Sequence, residues 1–474
     1  MPTHPYQEED YTAEAFRDKI STVDEQGKRI WVYPKKPKGR YHNARIWVSI
    51  GLLTLLFAGP FIKINGEPIL LLNVLERKFI IFGQIFWPQD FYLFALGLVT
   101  LVVFIVLFTV VYGRLFCGWV CPQTIFMEMV FRKIEYAIEG DYMAQRKLDK
   151  QPWNRDKIIR KGSKHLIFFA ISFLIANTFL AYIIGIEALM QIVTDPPGQH
   201  LAGLSAILLF TGAFYFVFAS FREQVCTSIC PYGRLQGVLL DRQSVVVAYD
   251  YERGEARGKM RKEENREAAG KGDCIDCKQC VVVCPTGIDI RNGTQLECVN
   301  CTACIDACDN IMERVNLPKG LIRYASEETI AEKKPFHWTK RSIAYSVVLL
   351  ALLGVLTSLL ILRTDVETSI LRTPGMLYQD QGDNKISNLY NVKIINKTNK
   401  AMPIHLELLG ETGEIRMVGN EDFWIEKQGV VEGALFVIYD RKDIKQMKKP
   451  IEIGVYREDQ LIETVQSNFL GPAK

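Results

Sequence analysis

The 474-residue sequence has no Gly-rich nucleotide-binding loop, and residues 365–474 contain no cysteine. Residues 1–44 are polar and charged, so they lack the early apolar core of a secretory signal peptide and are expected to form a leader that is not cleaved. The net charge is only +4 at pH 7, so no large basic excess favours binding to nucleic acid. These absences argue against a nucleotide-dependent enzyme, a secreted protein and a nucleic-acid-binding protein.

Cysteine is plentiful elsewhere, and eight of the 12 cysteines form two matched runs, CIDCKQCVVVCP and CVNCTACIDACD. Each run has the spacing Cys-x2-Cys-x2-Cys-x3-Cys of bacterial ferredoxins, in which the fourth cysteine of each run ligates the other of two [4Fe–4S] clusters. Pairs of Cys-x2-Cys also suit zinc, but zinc explains neither the triple spacing nor Pro285. We therefore predict a dicluster domain over 273–325, with the ligand sets Cys274, Cys277, Cys280, Cys308 and Cys298, Cys301, Cys304, Cys284.

The sequence is 49% hydrophobic and contains five long apolar stretches. A membrane helix needs about 20 residues to cross a hydrocarbon core of about 30 Å. The stretches therefore predict a five-helix transmembrane bundle, four of whose spans lie in a region over 45–250 that precedes a charged linker over 251–272. The predicted spans are 46–62, 91–112, 165–186, 201–221 and 343–362.

Basic residues predict how these spans are oriented, because cytoplasmic loops carry an excess of Lys and Arg. Eleven basic residues separate the second and third spans, three separate the first and second, and none separates the third and fourth. The N-terminus and the cysteine-rich segment are therefore expected in the cytoplasm, and residues 365–474 on the other side. Iron–sulfur thiolates exposed to solvent also call for a reducing compartment.

Residues 365–474 alternate between apolar and polar positions, as at Tyr390, Val392 and Ile394. Such period-2 segments, separated by turn residues, predict an all-β sandwich. The absence of cysteine is expected for a domain outside the reducing compartment.

The four remaining cysteines form two pairs that are each followed by proline: Cys117 and Cys121, and Cys226 and Cys230. A spacing of four residues favours two thiols on one helix face, and the proline suits a break or the first turn of a new helix. Each pair follows a span that runs inward, so all four thiols are expected at the cytoplasmic membrane surface. They are candidates for binding Cu(I), zinc or another iron–sulfur centre, for dithiol–disulfide chemistry, or simply for packing as buried thiols.

Several further segments accompany the ferredoxin runs along the chain: WVYPKKPKGRYH, FWPQDF, GRLFCGWVCPQT, KLDKQPW, REQVCTSICPYGR and GLIRY. Through these segments, the chain as a whole resembles the cytochrome c oxidase accessory proteins of the CcoG type, also called FixG or RdxA, which are linked to assembly of cbb3-type oxidases. The resemblance implies that the C-terminal sandwich is immunoglobulin-like. It also implies a multi-pass protein of the bacterial cytoplasmic (inner) membrane, with this sandwich in the periplasm.

The resemblance further implies an oxidoreductase that reduces Cu(II) to Cu(I) on the cytoplasmic side. The expected partners are copper ions, copper exporters or chaperones, oxidase subunits and an electron donor that the sequence does not identify. Thiolates favour Cu(I), and the reduction needs one electron, which suits iron–sulfur clusters. Two alternatives remain open: a quinol-linked electron conduit that does not act on copper, and a non-enzymatic scaffold for oxidase assembly.

Overall fold

The computed structural model describes residues 22–23, 26, 28–64, 66–74, 78–87, 90–261, 266, 268–334, 337–375, 377–410, 412–419 and 423–472. Positions 1–21 of the predicted leader and positions 262–265 of the predicted linker lie outside these residues. The chain divides into two compact units. The first unit comprises residues 1–59, 98–181 and 186–352, and the second comprises 60–97, 182–185 and 353–474.

Five helices are long and apolar enough to cross a membrane, so the chain is a multi-pass membrane protein. The first, third and fifth begin before the predicted apolar stretches, because the helical backbone continues through polar residues that hydropathy does not mark. The first helix continues into a 3-10 turn, Gly59–Phe61. The five helices are Arg40–Ala58, Phe91–Tyr112, Arg155–Ile184, Leu201–Phe216 and Lys340–Ile361.

Three π-helical segments follow the second and fourth long helices. They are Ile125–Phe131, Val217–Phe221 and Val225–Ile229. The rings of Phe131 and Phe218 stack at 4.7 Å in the aromatic core beside these segments. The π geometry is rare and often marks functional sites. Shorter helices in the first unit are Leu115–Trp119, Pro122–Thr124, Arg132–Ile138, Tyr142–Lys150, Ile186–Thr194, Pro197–Gln199 and Pro231–Leu239.

The cysteine-rich region lies between two paired strands, Val246–Tyr249 and Ile322–Ala325. The strands are antiparallel, with Val246 opposite Ala325. The first strand lies before residue 273, where the dicluster domain is predicted to begin. The strand pair that closes the region is therefore formed by residues outside the two cysteine runs. Its helices are Tyr251–Gly254, Gln279–Val282, Ile290–Asn292, Ala303–Arg314 and Glu327–Ala331.

The second unit contains a sandwich of two antiparallel sheets and a smaller group of strands before it. The first sheet contains Glu414–Met417, Val430–Asp440, Lys385–Asn396 and Val366–Arg372 in that order, with Gln379–Gly382 paired to Lys385–Asn396. The second contains Phe423–Ile425, Met402–Leu408, Lys448–Arg457 and Gln460–Leu470. The earlier strands are Lys63–Ile64, Glu67–Pro68, Leu70–Asn73, Lys78–Ile81 and Gln84–Phe86.

The core of the sandwich confirms the predicted all-β fold. Tyr390, Val392 and Ile394 are buried from one sheet, and Ile404 and Ile453 are buried from the other. Residues two apart on a strand share a face, so the alternation read from the sequence places one face of each sheet in a common core. The Tyr390 hydroxyl also donates a hydrogen bond of 2.9 Å to the carbonyl oxygen of Asn468.

A buried carboxylate, Asp90, joins the loop before the second long helix to the sandwich within the second unit. Asp90 is 1% exposed and accepts contacts of 2.6 Å from Arg363 and 2.7 Å from Lys397. Burial opposes ionisation of Asp90, but Lys397 and Arg363 outweigh it and lower the pKa of this carboxyl. Removing one partner of such a buried group leaves charges without compensation.

We expect Asp90→Asn to destabilise the second unit by about 3 kcal/mol, because buried Arg363 loses its carboxylate while Lys397 keeps its ion pair of 2.8 Å with Glu367. The measurement is thermal unfolding and protease resistance of the detergent-solubilised full chain. Asp380→Asn is the matched control, since Asp380 is 63% exposed and lies 3.9 Å from Arg441, where a surface pair contributes at most about 1 kcal/mol. Equal effects of the two substitutions would contradict this assignment.

Candidate metal centres

Two cavities in the cysteine-rich region are each lined by four or more thiols. Cavity I is lined by Cys274, Cys277, Cys280 and Cys308, together with apolar side chains, Lys278 and Arg291. The cysteines of cavity II are Cys280, Cys284, Cys298, Cys301 and Cys304. Cys280 lines both cavities. All four cysteines of each predicted ligand set line one cavity, and the assignment of the ligands stays a prediction.

The backbone of the two cysteine runs repeats one unusual conformation. In each run, the residues immediately before and after the second cysteine have positive φ: Asp276 and Lys278 at 51° and 54°, and Asn300 and Thr302 at 52° and 63°. Left-handed residues next to right-handed ones turn successive N–H groups toward one point, which creates anion-binding concavities found at many iron–sulfur sites. The repeated spacing in the sequence therefore has a repeated backbone geometry.

One helix supplies sulfur atoms to both cavities. Cys304 and Cys308 lie one turn apart on Ala303–Arg314, and Cys304 lines cavity II while Cys308 lines cavity I. Side chains four residues apart on a helix are neighbours, so the two cavities must lie side by side. This helix is the physical reason why the fourth cysteine of a run serves the other run's cavity.

Burial disfavours the thiolate form of these cysteines. It raises the pKa of Cys301 to about 12 and that of Cys298 to about 11, and it raises that of Cys280 in the shared wall to about 12. A bound metal must displace these protons, since thiolate is the form that ligates. Each cavity is therefore suited to a group that carries enough positive charge to stabilise several buried thiolates together.

The described residues contain no group of three or more His, Cys, Asp or Glu side chains spaced to hold a single metal ion. A cluster places different demands on its ligands, because each of the four thiolates binds a different iron atom at a corner of the cubane. The sulfur atoms then stand further apart than around one tetrahedral zinc ion. Cavities with at least four thiols on their walls, spaced too widely for a single ion, fit [4Fe–4S] groups better than zinc.

The pairs that precede proline lie at helix boundaries and not along one helix face. The helix Leu115–Trp119 contains Cys117, whereas Cys121 is the N-cap of the next helix, in which Pro122 is the first residue. Cys230 is likewise the N-cap of Pro231–Leu239. The prediction of two thiols on one continuous α-helix face is wrong, because the helix with Cys117 ends at Trp119, and Cys226 lies in a π-helix that ends immediately before Cys230. The proline at the first helical position is as expected.

The two pairs nevertheless come together, and they do so beside cavity II. Burial, together with the nearby thiols of Cys121, Cys117 and Cys230, raises the pKa of Cys226 to about 12. The side chains of Cys117 and Cys226 pack against the apolar group that includes Cys301. One thiol of each pair, Cys117 and Cys226, is therefore adjacent to cavity II.

Close backbone approach holds the first pair against the loop of the second cysteine run. A Cβ atom on Gly118 would collide with the carbonyl oxygen of Asn300 and would lie 2.8 Å from that of Val299. The indole N–H of Trp119 donates a hydrogen bond of 2.9 Å to the hydroxyl of Tyr324 on the closing strand. Glycine at position 118 is thus required by packing.

Gln236 contacts this site and was not predicted from the sequence. Its side-chain amide nitrogen donates to the sulfur of Cys117 at 3.4 Å, and Gln236 is fully buried. It lies 119 positions from Cys117 along the chain, and no spacing pattern connects the two. The nearby Met127 packs into the aromatic core, so its thioether has a structural explanation.

Comparison with known proteins identifies the class of this chain. Residues 221–327 match a family described as a 4Fe-4S dicluster domain, and residues 94–148 match one described as a 4Fe-4S binding domain. Residues 356–472 match the Ig-like fold at the C-terminus of FixG. The chain is a membrane-bound iron–sulfur electron-transfer protein with an immunoglobulin-like C-terminal domain.

Protein RdxA of Cereibacter sphaeroides is 33% identical over 401 residues, which are 81% of this chain and 83% of RdxA. Protein RdxB of the same organism is 31% identical over 399 residues, with the same shares. Nitrogen fixation protein FixG of Rhizobium meliloti is 37% identical over 305 residues, or 63% of this chain and 58% of FixG. The chain belongs to the FixG/RdxA family.

We expect Gly118→Ala to weaken the packing of the first cysteine pair by about 1–3 kcal/mol, the usual cost of forcing an extra methyl group into a packed site. Iron content and thermal unfolding of the purified protein measure the effect. Gly212→Ala is the control, because Gly212 lies in a long helix with open space around its missing side chain. If both variants behave like the unsubstituted protein, the close approach does not constrain the site.

Proposed function

We propose that this protein transfers single electrons to Cu(II) and releases Cu(I) for the assembly of a cbb3-type oxidase. The observation that carries the proposal is the packing of Cys117 and Cys226 against the wall of cavity II. Soft sulfur ligands favour Cu(I) over Cu(II). A copper-binding thiol at this position would lie beside an electron carrier.

The proposed cluster ligands are Cys274, Cys277, Cys280 and Cys308 at cavity I, and Cys298, Cys301, Cys304 and Cys284 at cavity II. When bound, two [4Fe–4S] clusters at these residues supply one-electron transfer at low potential. The protein's own contribution is to hold both cavities next to each other on one helix. It also excludes solvent, since Cys301 and Cys308 are buried and Cys277 alone among the ligands is exposed.

The proposed copper-binding residues are Cys117, Cys121, Cys226 and Cys230. No three of them are spaced to hold one ion among the residues that the structure describes, so a pair of thiols is the expected ligand set for Cu(I). The raised pKa of Cys117, to about 11 through burial, means that copper binding releases protons. The polar contact from Gln236 to Cys117 favours the thiolate.

The charge of the loops supports a cytoplasmic position for this chemistry. Between the second and third long helices lie Arg114, Arg132, Lys133, Arg146, Lys147, Lys150, Arg155, Lys157, Arg160, Lys161 and Lys164. Loops rich in Lys and Arg stay in the cytoplasm. This rule favours a cytoplasmic cysteine-rich region and a periplasmic immunoglobulin-like domain. There the domain would contact copper exporters, chaperones or oxidase subunits.

We expect about eight iron atoms per chain in anaerobically purified protein, and EPR signals of two [4Fe–4S] clusters after reduction. The reason is that four thiols are available at each cavity. About twelve iron atoms would instead place a third cluster at the four cysteines that precede proline, and this count would remove them as the copper site. Zinc without a paramagnetic signal would contradict the iron–sulfur assignment altogether.

We expect protein that has been reduced and freed of reductant to convert added Cu(II) to Cu(I), which a Cu(I)-specific chelator measures. Replacing Cys117, Cys121, Cys226 and Cys230 by Ser should slow this reaction by about tenfold or more, equivalent to about 1.4 kcal/mol of lost stabilisation. The physical reason is that hydroxyl oxygen is a poor ligand for Cu(I).

Iron content close to that of the unsubstituted protein is the control for this fourfold variant, because it shows that the clusters are intact. An unchanged rate would refute the assignment of copper to these cysteines. Oxidation of the reduced protein by a quinone analogue, without any reaction with copper, would instead identify a quinol-linked conduit. Normal oxidase assembly in cells by a variant that has lost its clusters would identify a scaffold.

A further inference from the structure

Two buried arginines extend from the membrane-helix region to the loop around cavity II. Arg45, 5% exposed, donates hydrogen bonds of 2.9 Å to the carbonyl oxygens of both Gly118 and Cys301. Arg114, 4% exposed, donates to the carbonyl oxygens of Leu296 and Cys298, the latter at 3.2 Å. Both guanidinium groups therefore contact the backbone of proposed cluster ligands.

Within the described residues, neither arginine has a carboxylate partner, since none of the ion pairs there involves Arg45 or Arg114. The nearby carboxylate of Asp306 accepts hydrogen bonds from the backbone N–H groups of Tyr41 and His42 at the start of the first long helix. Cavity II is therefore bordered by two buried positive charges that no ion pair compensates in the part of the chain that the structure describes.

The arginine that lines cavity I is paired differently. Arg291 forms ion pairs of 2.6 Å with both Asp276 and Asp289, so its guanidinium charge is compensated by carboxylates. Cavity I is also lined by Lys278, and Arg266, 9% exposed, donates a hydrogen bond of 3.1 Å to the carbonyl oxygen of Cys274. The contrast therefore lies between the ion pairing of Arg291 and that of Arg45 and Arg114, and not in the net charge around each cavity.

A buried positive charge stabilises the reduced form of a cluster, which carries one more negative charge than the oxidised form. Net charge, hydrogen bonding and solvent exposure are the quantities that set these potentials, and charges interact more strongly in a low-dielectric interior than in water. Burial alone would make a cluster at cavity II hard to reduce. The guanidinium groups of Arg45 and Arg114 lie within hydrogen-bond distance of the backbone of Cys301 and Cys298, so their charges act on a cluster there at short range.

We propose that Arg45 and Arg114 are positioning residues that raise the reduction potential of the [4Fe–4S] group at cavity II. Their two fixed charges offset the cost of burying that group, and keep it reducible beside the thiols of Cys117 and Cys226. This inference rests on the proposed ligand sets and extends the proposed function, because it assigns a charge-based role to residues outside the cysteine motifs.

The test is a redox titration of the anaerobically purified full chain, followed by EPR, for Arg45→Gln and Arg114→Gln. Each substitution should lower the potential of one of two one-electron transitions. We expect the ratio of reduced to oxidised protein at a fixed potential to fall about tenfold, which corresponds to about 59 mV for one electron. The transition of the other cluster should move much less.

Two further sets of variants separate charge from structure. Arg45→Lys and Arg114→Lys keep the charge but lose the planar fork of donors. The reduction potential of the cluster at cavity II should therefore stay close to that of the unsubstituted protein. Arg291→Gln should shift the other transition, which assigns the two transitions to the two cavities. A Gln variant that loses iron while its Lys counterpart keeps it also supports the role of charge.

The proposal is overturned if the Gln variants leave both transitions in place, if they move both transitions equally, or if the Lys and Gln variants behave alike, including equal loss of iron. These outcomes differ from failure of the proposed function. Protein with two intact transitions that does not reduce Cu(II) would refute the copper chemistry and leave the effect of the arginines measurable. Protein without iron–sulfur signals would refute the ligand sets themselves.

Discussion

The geometry of both cavities depends on one helix, Ala303–Arg314, which carries Cys304 and Cys308 one turn apart. Because the helix spacing is fixed, the sulfur atoms that line the two cavities are held at a fixed separation. The positive-φ residues around Cys277 and Cys301 then curve each loop around its own cavity. A dicluster arrangement thus follows from a rigid helix and two copies of one loop conformation.

The same loop is the surface on which the membrane-helix region packs. Gly118 allows the segment between Cys117 and Cys121 to reach the carbonyl oxygen of Asn300, and π-helical geometry at Val225–Ile229 precedes Cys230. An extra residue within a helical turn rotates the side chains that follow it. This irregular backbone brings two cysteine pairs, distant in sequence, to one wall, where regular helices would have directed the thiols elsewhere.

Sequence patterns predicted the parts of this protein that repeat. The Cys-x2-Cys-x2-Cys-x3-Cys runs, the alternation at Tyr390 and Val392, and the long apolar stretches are periodic, and each period has one structural meaning. The start of the first helix at Arg40, the helix breaks at Cys121 and Cys230, and the roles of Gln236 and Arg45 could not be predicted. They depend on contacts between residues up to 256 positions apart, and such contacts leave no local pattern.

The polar contacts of Arg45 and Arg114 explain why the sequence does not predict this part of the site. Their guanidinium groups bond to backbone carbonyl oxygens, of Gly118 and Cys301 for Arg45, and of Leu296 and Cys298 for Arg114. Every residue has a carbonyl oxygen, so these contacts constrain the path of the loop and not the identity of its side chains. The loop can therefore change in sequence while the arginines keep both their contacts and their charge beside cavity II. Because the fixed charges lie on the membrane-helix region and the thiols on the loop, the electrostatic environment of cavity II exists only when the two are packed together.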